Sequence, residues 1–348
     1  MAVCDLTHFE FSFDNEIVEG YQFGQMSISI FERFKAKVWL VRLSAAYYGC
    51  VHPWRKPLKD VLAPLKHAYR LGLETGDLEF SMLSFYFYSV SILEISPLSD
   101  LDAELSDFLE RMDFFNSKLS SLPIGKPLRQ FVHNLMGRSA EGGDTRTVGD
   151  QIMDKDDAGD VAVKTQKMIF WTRFYEMIFC YLFGDYEKAE ALSKHCHALV
   201  DYPFASIDVA MLLFFETLTL STQLNLKGKQ GRMSLIKQRL ERIQYWARHS
   251  PYNFLGKQFL LEAELAAVEG DHGSAFAKYV CAISLSKEGG SILLEALANE
   301  RAGKYFNGLG QKSEAKTYIN EAIRTYERWG AMAKASHLQS EVKFVGFS

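Results

Sequence analysis

Proline and paired cysteine are both scarce in this chain. It has eight prolines in 348 residues, and because proline interrupts helices, this low number leaves room for long helical segments. The five cysteines are scattered and odd in number, without a Cys-x-x-Cys pair: Cys4, Cys50, Cys180, Cys196 and Cys281. This pattern argues against a disulfide framework or a thiolate zinc site, and it favours a reducing compartment.

A strong net charge and a long uncharged apolar run are also missing. The formal net charge of −4 provides no general attraction for nucleic acid or for an anionic membrane. The most apolar segment, residues 204–220, contains Asp208 and Glu216, which favours a buried helix over a membrane span. The first residues lack the basic and apolar run of a signal peptide. We therefore predict a cytoplasmic protein that binds neither nucleic acid nor membrane.

Motifs of the familiar enzyme classes are absent from the sequence. The Gly-Lys pairs lack the upstream glycine and the following hydroxyl residue of a phosphate-binding loop. There is no Gly-x-Gly-x-x-Gly, Gly-x-Ser-x-Gly or His-Glu-x-x-His motif and no kinase signature. The acidic run that begins at Asp154 has Thr165 where a calcium-binding EF-hand loop needs glutamate. We therefore expect no cofactor and no metal.

Composition divides the chain into four segments. Residues 1–26 are aromatic and irregular, and they predict an N-terminal arm. Residues 27–138 carry apolar residues at helical spacing and predict an N-terminal helical half. Residues 139–160 are rich in Gly and Asp and have too few large apolar side chains to offset their chain entropy, which predicts a flexible linker. Residues 161–343 resume the helical pattern and predict a C-terminal half.

A repeat runs through the C-terminal half. Its turn glycines lie 44, 42 and 40 residues apart, at Gly184, Gly228, Gly270 and Gly310. An alanine follows five residues after three of them, at Ala189, Ala275 and Ala315. Glycine permits the tight turn between antiparallel helices, and a small residue lets the two axes approach. Because each helix pair leaves an apolar face that only a neighbour can bury, we predict an all-α fold, an α-solenoid of antiparallel pairs with repeats of 40–44 residues.

The most regular unit is Leu294–Leu338, in which Trp329-Gly330 separates a helix pair from a closing helix. Its Gly-x-x-x-x-Ala turn resembles the tetratricopeptide (TPR) repeat, although the units here are longer than the roughly 34 residues of that repeat. The stretch also resembles the helical region that follows the NTPase module in large predicted-ATPase signalling proteins, which often carry sensor histidine kinase domains. The resemblance implies TPR-like helical halves in a regulatory or interaction segment, without the catalytic parts of that family.

Two groups of residues are candidates for partner binding. Three cations of a basic cluster would suit an acidic or phosphorylated protein segment, with a solvated helix face as the alternative: Lys237, Arg239 and Arg242. Three tyrosines in dense aromatic runs would suit a groove that binds a peptide, with core packing as the alternative: Tyr86, Tyr88 and Tyr175.

We therefore expect a non-enzymatic scaffold that mediates protein–protein interaction. The alternative is an enzyme or small-molecule-binding protein in a helical-repeat fold that uses dispersed polar groups: His133, Glu176, Glu216 and Glu262. A pocket with clustered carboxylates or histidines would favour this alternative, and an open groove with exposed rings would favour the scaffold. We expect Trp329 to close the end of the helical stack rather than to bind a ligand.

Overall fold

The computed structural model of the chain describes residues 14–34, 37–114, 125–138, 161–199, 206–224 and 229–344. These residues form an all-helical structure without strands. The predicted linker at residues 139–160 and the predicted turn at Gly228 lie outside the described residues. No helix in the described ranges combines the length and the apolar character that a membrane crossing requires.

Fifteen α-helices make up the described part of the chain. The first six are α1 (Asp14–Arg33), α2 (Lys37–Ala46), α3 (Leu62–Thr75), α4 (Leu78–Leu93), α5 (Leu98–Phe114) and α6 (Gly125–Met136). The others are α7 (Val161–Leu182), α8 (Tyr186–His197), α9 (Ile207–Thr222), α10 (Lys229–His249), α11 (Pro251–Glu269), α12 (His272–Gly289), α13 (Ile292–Gly308), α14 (Lys312–Trp329) and α15 (Met332–Phe344). Short π-helical and 3₁₀ turns occupy Tyr47–Val51, His52–Trp54 and Leu58–Val61 between α2 and α3.

Short glycine turns connect the helices that pack most extensively against each other. Three turn glycines of the predicted repeat are in the left-handed region, with φ values of 84° at Gly184, 82° at Gly270 and 75° at Gly310. An L side chain is strained at such φ values, so glycine is the residue that lets the next helix run back along the previous one. The side chains of Asp185 and Asp271 accept hydrogen bonds from the first turns of α8 and α12.

Small residues bring the paired helices close together. The three repeat alanines are fully buried: Ala189, Ala275 and Ala315. A Cβ atom added to Gly303 on α13 would lie 2.6 Å from Cγ1 of Ile319 on α14, which is closer than carbon atoms approach without a shift of one helix. The sequence therefore sets the distance between the helix axes at these positions.

The prediction of an irregular N-terminal arm over residues 1–26 is wrong from Asp14 onward. Residues 1–13 lie outside the described residues, but α1 begins at Asp14, so residues 14–26 are helical and not irregular. The reason is that Ile17 and Ile28, together with Gly24 between them, recur at helical spacing on one face. Both isoleucines are buried, and Gly24 lies against the ring of Tyr47.

The N-terminal and C-terminal helices pack against each other. Helix α4 is buried on nearly all sides from Ser81 to Leu93. The indole Nε1 of the fully buried Trp329 donates a hydrogen bond of 2.9 Å to the carbonyl oxygen of Leu93. A Cβ added to the next residue, Gly330, would lie 3.5 Å from Cβ of Leu98. Trp329 therefore joins the C-terminal helices to the end of α4, in a contact that the sequence pattern did not predict.

A buried network of charges ties α15 to its neighbours. The Lys334 side chain is completely buried and donates hydrogen bonds to the Leu182 carbonyl oxygen and, at 2.8 Å, to the Glu300 carboxylate. Glu300 also accepts from Lys304 at 2.8 Å and from the Tyr326 hydroxyl at 2.8 Å. Burial alone would raise the pKa of Glu300, but the two lysine ammonium groups lower it below its usual range.

Candidate functional site

A cleft of about 220 Å³ lies where the N-terminal helices meet α9 and α11–α13. Its walls come from the turn before α3, the end of α4, the start of α9 and the facing sides of α11, α12 and α13. The lining residues are Pro57, Leu58, Lys59, Glu94, Ile95, Ile207, Tyr252, Asn253, Gly256, Lys257, Leu285, Ser286, Glu288, Gly289, Ser291 and Leu294. Because residues so far apart in the chain line it, the cleft forms when the two parts of the chain pack together.

An ion pair forms the floor of the cleft. Nζ of Lys257 lies 2.8 Å from Oε2 of Glu94, and the two side chains are 6% and 5% exposed. Lys257 also donates to the carbonyl oxygen of Asn253 at 3.2 Å, and Ser291 donates to Oε2 of Glu94 at 3.2 Å. These additional hydrogen bonds offset part of the cost of removing both charges from water.

The two carboxylate oxygens of Glu94 differ in their hydrogen bonding. Within the described part of the chain, Oε2 of Glu94 accepts from both Lys257 and Ser291, and no hydrogen bond reaches Oε1. Glu94 is one of the lining residues, so Oε1 lies at the cleft with its acceptor capacity unused by the described residues. A buried carboxylate oxygen that retains acceptor capacity favours a ligand with an N–H or O–H donor.

Asn253 fixes the position of the wall that precedes α3. Its Oδ1 accepts from the backbone N–H of Leu58 at 2.9 Å, and its Nδ2 donates to the carbonyl oxygens of Pro53 and Lys56 at 2.6 and 2.9 Å. Next to these contacts the ring of Trp54 stacks on Phe254, with centroids 5.4 Å apart. The wall is therefore held by hydrogen bonds between the Asn253 side chain and the backbone and by an aromatic contact.

The back of the cleft depends on a residue without a side chain. A Cβ added to Gly256 would lie 3.1 Å from Cδ2 of Leu294 and 3.2 Å from Oγ of Ser286, so glycine lets α11 approach α12 and α13 there. On the rim, Tyr252 is 63% exposed, and Lys59 and Glu288 are exposed. The cleft thus combines a buried ion pair with one accessible ring and charges of both signs.

The described lining residues include two serines, Ser286 and Ser291, and neither histidine nor cysteine. The hydroxyl of Ser286 donates to the carbonyl oxygen of Ala282 at 2.6 Å, and that of Ser291 donates to Glu94 at 3.2 Å. Among the described residues, no group of three His, Cys, Asp or Glu side chains could hold a metal ion.

The three tyrosines predicted for a groove are instead buried in the core. Tyr86, Tyr88 and Tyr175 are 5%, 6% and 0% exposed. The hydroxyl of Tyr86 donates to Asp208 of α9, and the ring of Tyr175 stacks on Phe131 with centroids 5.3 Å apart. These aromatic runs are too dense to be buried along a single face of a helix. Because α4 and α7 are covered on several sides, the rings of the three tyrosines nevertheless pack in the core.

Asp208 is a buried carboxylate whose ionisation opposes folding. It is 1% exposed, and burial raises its pKa to about 6, although hydrogen bonds from Tyr86 and Ser206 act in the opposite direction. The folded-state pKa lies above the unfolded value of about 3.9, so the stability contributed by the neutral acid is complete below about pH 4 and is lost as the pH rises through about 6.

Replacing Asp208 by Asn should therefore remove a pH-dependent penalty. We expect the stability of the Asn variant relative to the original chain to rise by about 2 kcal/mol between pH 4 and pH 8. Urea unfolding of both proteins across this range measures the difference. Asp60→Asn, at an exposed position, is the matched control. A constant difference across the range would show that Asp208 does not titrate as its burial requires.

The basic residues predicted as a docking face have partners within the fold. Nζ of Lys237 lies 3.3 Å from Glu269, and Nε of Arg239 lies 3.2 Å from Glu216 of α9. The guanidinium of Arg242 lies over the ring of Trp246, 5.8 Å from its centroid, and burial followed by the charge of Arg239 lowers its pKa. The structure therefore does not present these three cations as one open basic surface.

The dispersed groups of the enzymatic alternative lie in four separate networks. His133 contacts Asp102 at 2.7 Å, Glu176 contacts Lys188 at 2.8 Å, and Glu216 contacts His197 at 3.0 Å. Glu262 accepts from Lys278 at 2.6 Å. None of the four lines the cleft, so the structure does not bring them together into one site.

Sequence reasoning missed the two residues at the centre of the cleft, Glu94 and Lys257. The available signal was local, because Glu94 directly follows the apolar run of α4 and Lys257 interrupts the apolar face of α11. A charged residue within or next to an apolar run either lies at the end of a helix or, if it is buried, forms an ion pair. Comparison with known proteins gives no further guide to the cleft, since the chain matches no protein-family model and no curated protein at a significant level.

Proposed function

We propose that this chain is a non-enzymatic, TPR-like helical-repeat scaffold that binds a segment of a protein partner in the cleft at Glu94 and Lys257. The solenoid architecture is supported by repeat spacings of 44, 42 and 40 residues and by sequential packing of helix pairs across glycine turns. Helical repeats that stack in this way create extended surfaces on which protein segments bind.

The observation that carries the proposal is the cleft itself. Its volume of about 220 Å³ is below the roughly 300–1,000 Å³ of pockets that enclose a small-molecule ligand. Such a volume accommodates one or two side chains of an extended segment. Oε1 of Glu94 would accept a hydrogen bond from the segment, and the exposed ring of Tyr252 would contact the segment at the rim.

A regulatory or signalling role is part of the same proposal. It is supported by the resemblance of Leu294–Leu338 to the helical region that follows the NTPase module in predicted-ATPase and sensor histidine kinase proteins. In such a role the chain would couple a bound segment to other modules through shape and hydrogen bonding. A polar small molecule is the second candidate ligand, because Glu94 and Lys257 offer an acceptor and a charge in one enclosed place.

A peptide library tests the proposal directly. A random dodecapeptide library displayed on phage is selected on the purified chain, and selected peptides are measured by calorimetry. Tyr252→Ala and Glu288→Lys change the rim of the cleft at exposed side chains, so both proteins should fold normally. We expect each to weaken peptide binding by about tenfold or more, the scale of an interface anchor.

The control is Phe276→Ala, which removes an exposed ring elsewhere on the molecule and should leave the affinity unchanged. If no peptide is enriched, or if enriched peptides bind both cleft variants as well as the original chain, the cleft is not a peptide site. A screen of polar metabolites by thermal shift then tests the second candidate. Metabolite binding that the cleft variants abolish would favour the small-molecule function.

A further inference from the structure

An exposed apolar stripe runs along α1 and onto the turn residue that follows it, on the side away from the core. It consists of four large side chains at helical spacings of three, four and four residues: Phe23, Met26, Ile30 and Phe34. We call this set the α1 face. Its members are 62%, 53%, 43% and 75% exposed, and elsewhere on the described surface the longest comparable run is the pair Phe276 and Val280 on α12. Because successive helix residues are about 100° apart, these four positions fall within an arc of about 80°.

The other side of α1 already has its partner. Ile17 and Ile28 are 8% and 7% exposed, and the rings of Tyr21 and Tyr47 lie 6.1 Å apart. The helix is therefore apolar on two opposite faces, of which one packs on the protein and one faces solvent. A contiguous apolar stripe of this kind is typical of an interaction surface rather than of an ordinary exposed helix.

We propose that the α1 face pairs with the α1 face of a second copy of this chain, with the two helices antiparallel. The stripe has an aromatic ring at each end, Phe23 and Phe34, and two aliphatic side chains between them. A two-fold axis near the middle of the stripe would place Phe23 of each copy opposite Phe34 of the other. A surface that repeats in reverse order in this way is complementary to itself, as a two-fold interface requires.

Charge favours the antiparallel direction. Glu19 and Arg33 are exposed near opposite ends of α1, about 21 Å apart at 1.5 Å per residue. An antiparallel pair brings Glu19 of each helix closer to Arg33 of the other than a parallel pair does. A parallel pair would instead bring like charges together, which is unfavourable.

The exposed area is sufficient for a reversible dimer. A large side chain removes roughly 150–250 Å² from water when buried, so the exposed fractions of the α1 face amount to about 400–500 Å² per copy. Two copies together, with the polar residues beside the stripe, reach the roughly 1,000 Å² of a specific interface. An interface of that size predicts exchange between monomer and dimer in the micromolar range.

Sedimentation equilibrium of the full chain from about 1 to 200 µM tests this inference. We expect an apparent mass that rises toward twice the 39.6 kDa of one chain. Ile30→Glu places a charge in the middle of the stripe and should weaken association by about 100-fold or more. Val280→Glu changes an apolar side chain of comparable exposure, 42% against 43% for Ile30, and should leave association unchanged.

Cross-linking tests the direction of the helices. An equimolar mixture of the Phe23→Cys and Phe34→Cys chains should form a disulfide between the two variants on mild oxidation, beyond the level of the original chain. Cross-linking within each variant alone would indicate parallel helices and would contradict the proposed pairing. A chain that is still monomeric at 200 µM would overturn the proposal. So would a dimer that Ile30→Glu does not weaken, provided that circular dichroism shows a native helix content for the variant. Association that appears only after residues 1–13 are deleted would mean that this segment covers the α1 face.

Discussion

Replacing Trp329 by Ala is expected to lower the free energy of unfolding by about 4 kcal/mol. The indole is fully buried, and truncation of a buried large aromatic ring costs about 3–5 kcal/mol through lost apolar contact and the cavity left behind. The variant also leaves the Leu93 carbonyl oxygen without its hydrogen bond from Nε1, which adds to the loss. Urea or thermal unfolding of the purified chain measures the effect.

Trp329→Phe separates the two contributions. It keeps a ring in the core but removes the indole N–H, so we expect a smaller loss of about 1–2 kcal/mol. Peptide affinity in the cleft should be the same for the folded fraction of each variant, because Trp329 does not line it. Unchanged stability with reduced affinity would instead make this residue part of a binding surface.

Replacing Lys334 by Met is expected to cost about 3 kcal/mol of stability at pH 7. The lysine is completely buried between Glu300 and the Leu182 carbonyl oxygen, and removal of one partner from a buried ion pair costs about 3–5 kcal/mol because the other is left uncompensated. The cost falls at the lower end of this range, since Lys304 still contacts Glu300 at 2.8 Å. Urea unfolding at constant pH and ionic strength measures it.

Lys304→Met is the matched control. Lys304 contacts the same carboxylate, but its side chain is 28% exposed, so water can compensate for its removal and the cost should be about 1 kcal/mol. The two variants remove the same charge at different depths. If the two variants destabilised the chain equally, the depth of burial of each lysine would not control how much it stabilises the network.

The helical pattern and its turns could be predicted from sequence because their causes are local. Gly270 ends α11 in the left-handed region, and this requirement is visible in the residue type alone. Apolar residues at a spacing of three or four predict a helix wherever they occur, which is why α13 and α14 could be located from their pattern. The same rule applied to Ile17 and Ile28 would have predicted helix α1.

The cleft could not be predicted because its parts are distant in the chain. Glu94 and Lys257 lie 163 residues apart, and no local pattern states that they meet. The burial of Tyr86 and Tyr175 could not be predicted for the same reason. The number of sides on which a helix is covered depends on helices that are distant in the chain. A dense aromatic run is compatible with both a groove and a core, and long-range packing decides between them.

The contact between Trp329 and Leu93 also has a consequence for synthesis of the protein. Helix α4 carries buried aromatic side chains on several faces, and part of its cover comes from residues that follow it by more than 200 positions, with 236 separating Trp329 from Leu93. During translation the buried end of α4 emerges long before Trp329. Contacts of such high sequence separation slow folding and leave apolar surface exposed in the meantime, so we expect the end of α4 to be prone to aggregation until α14 has left the ribosome.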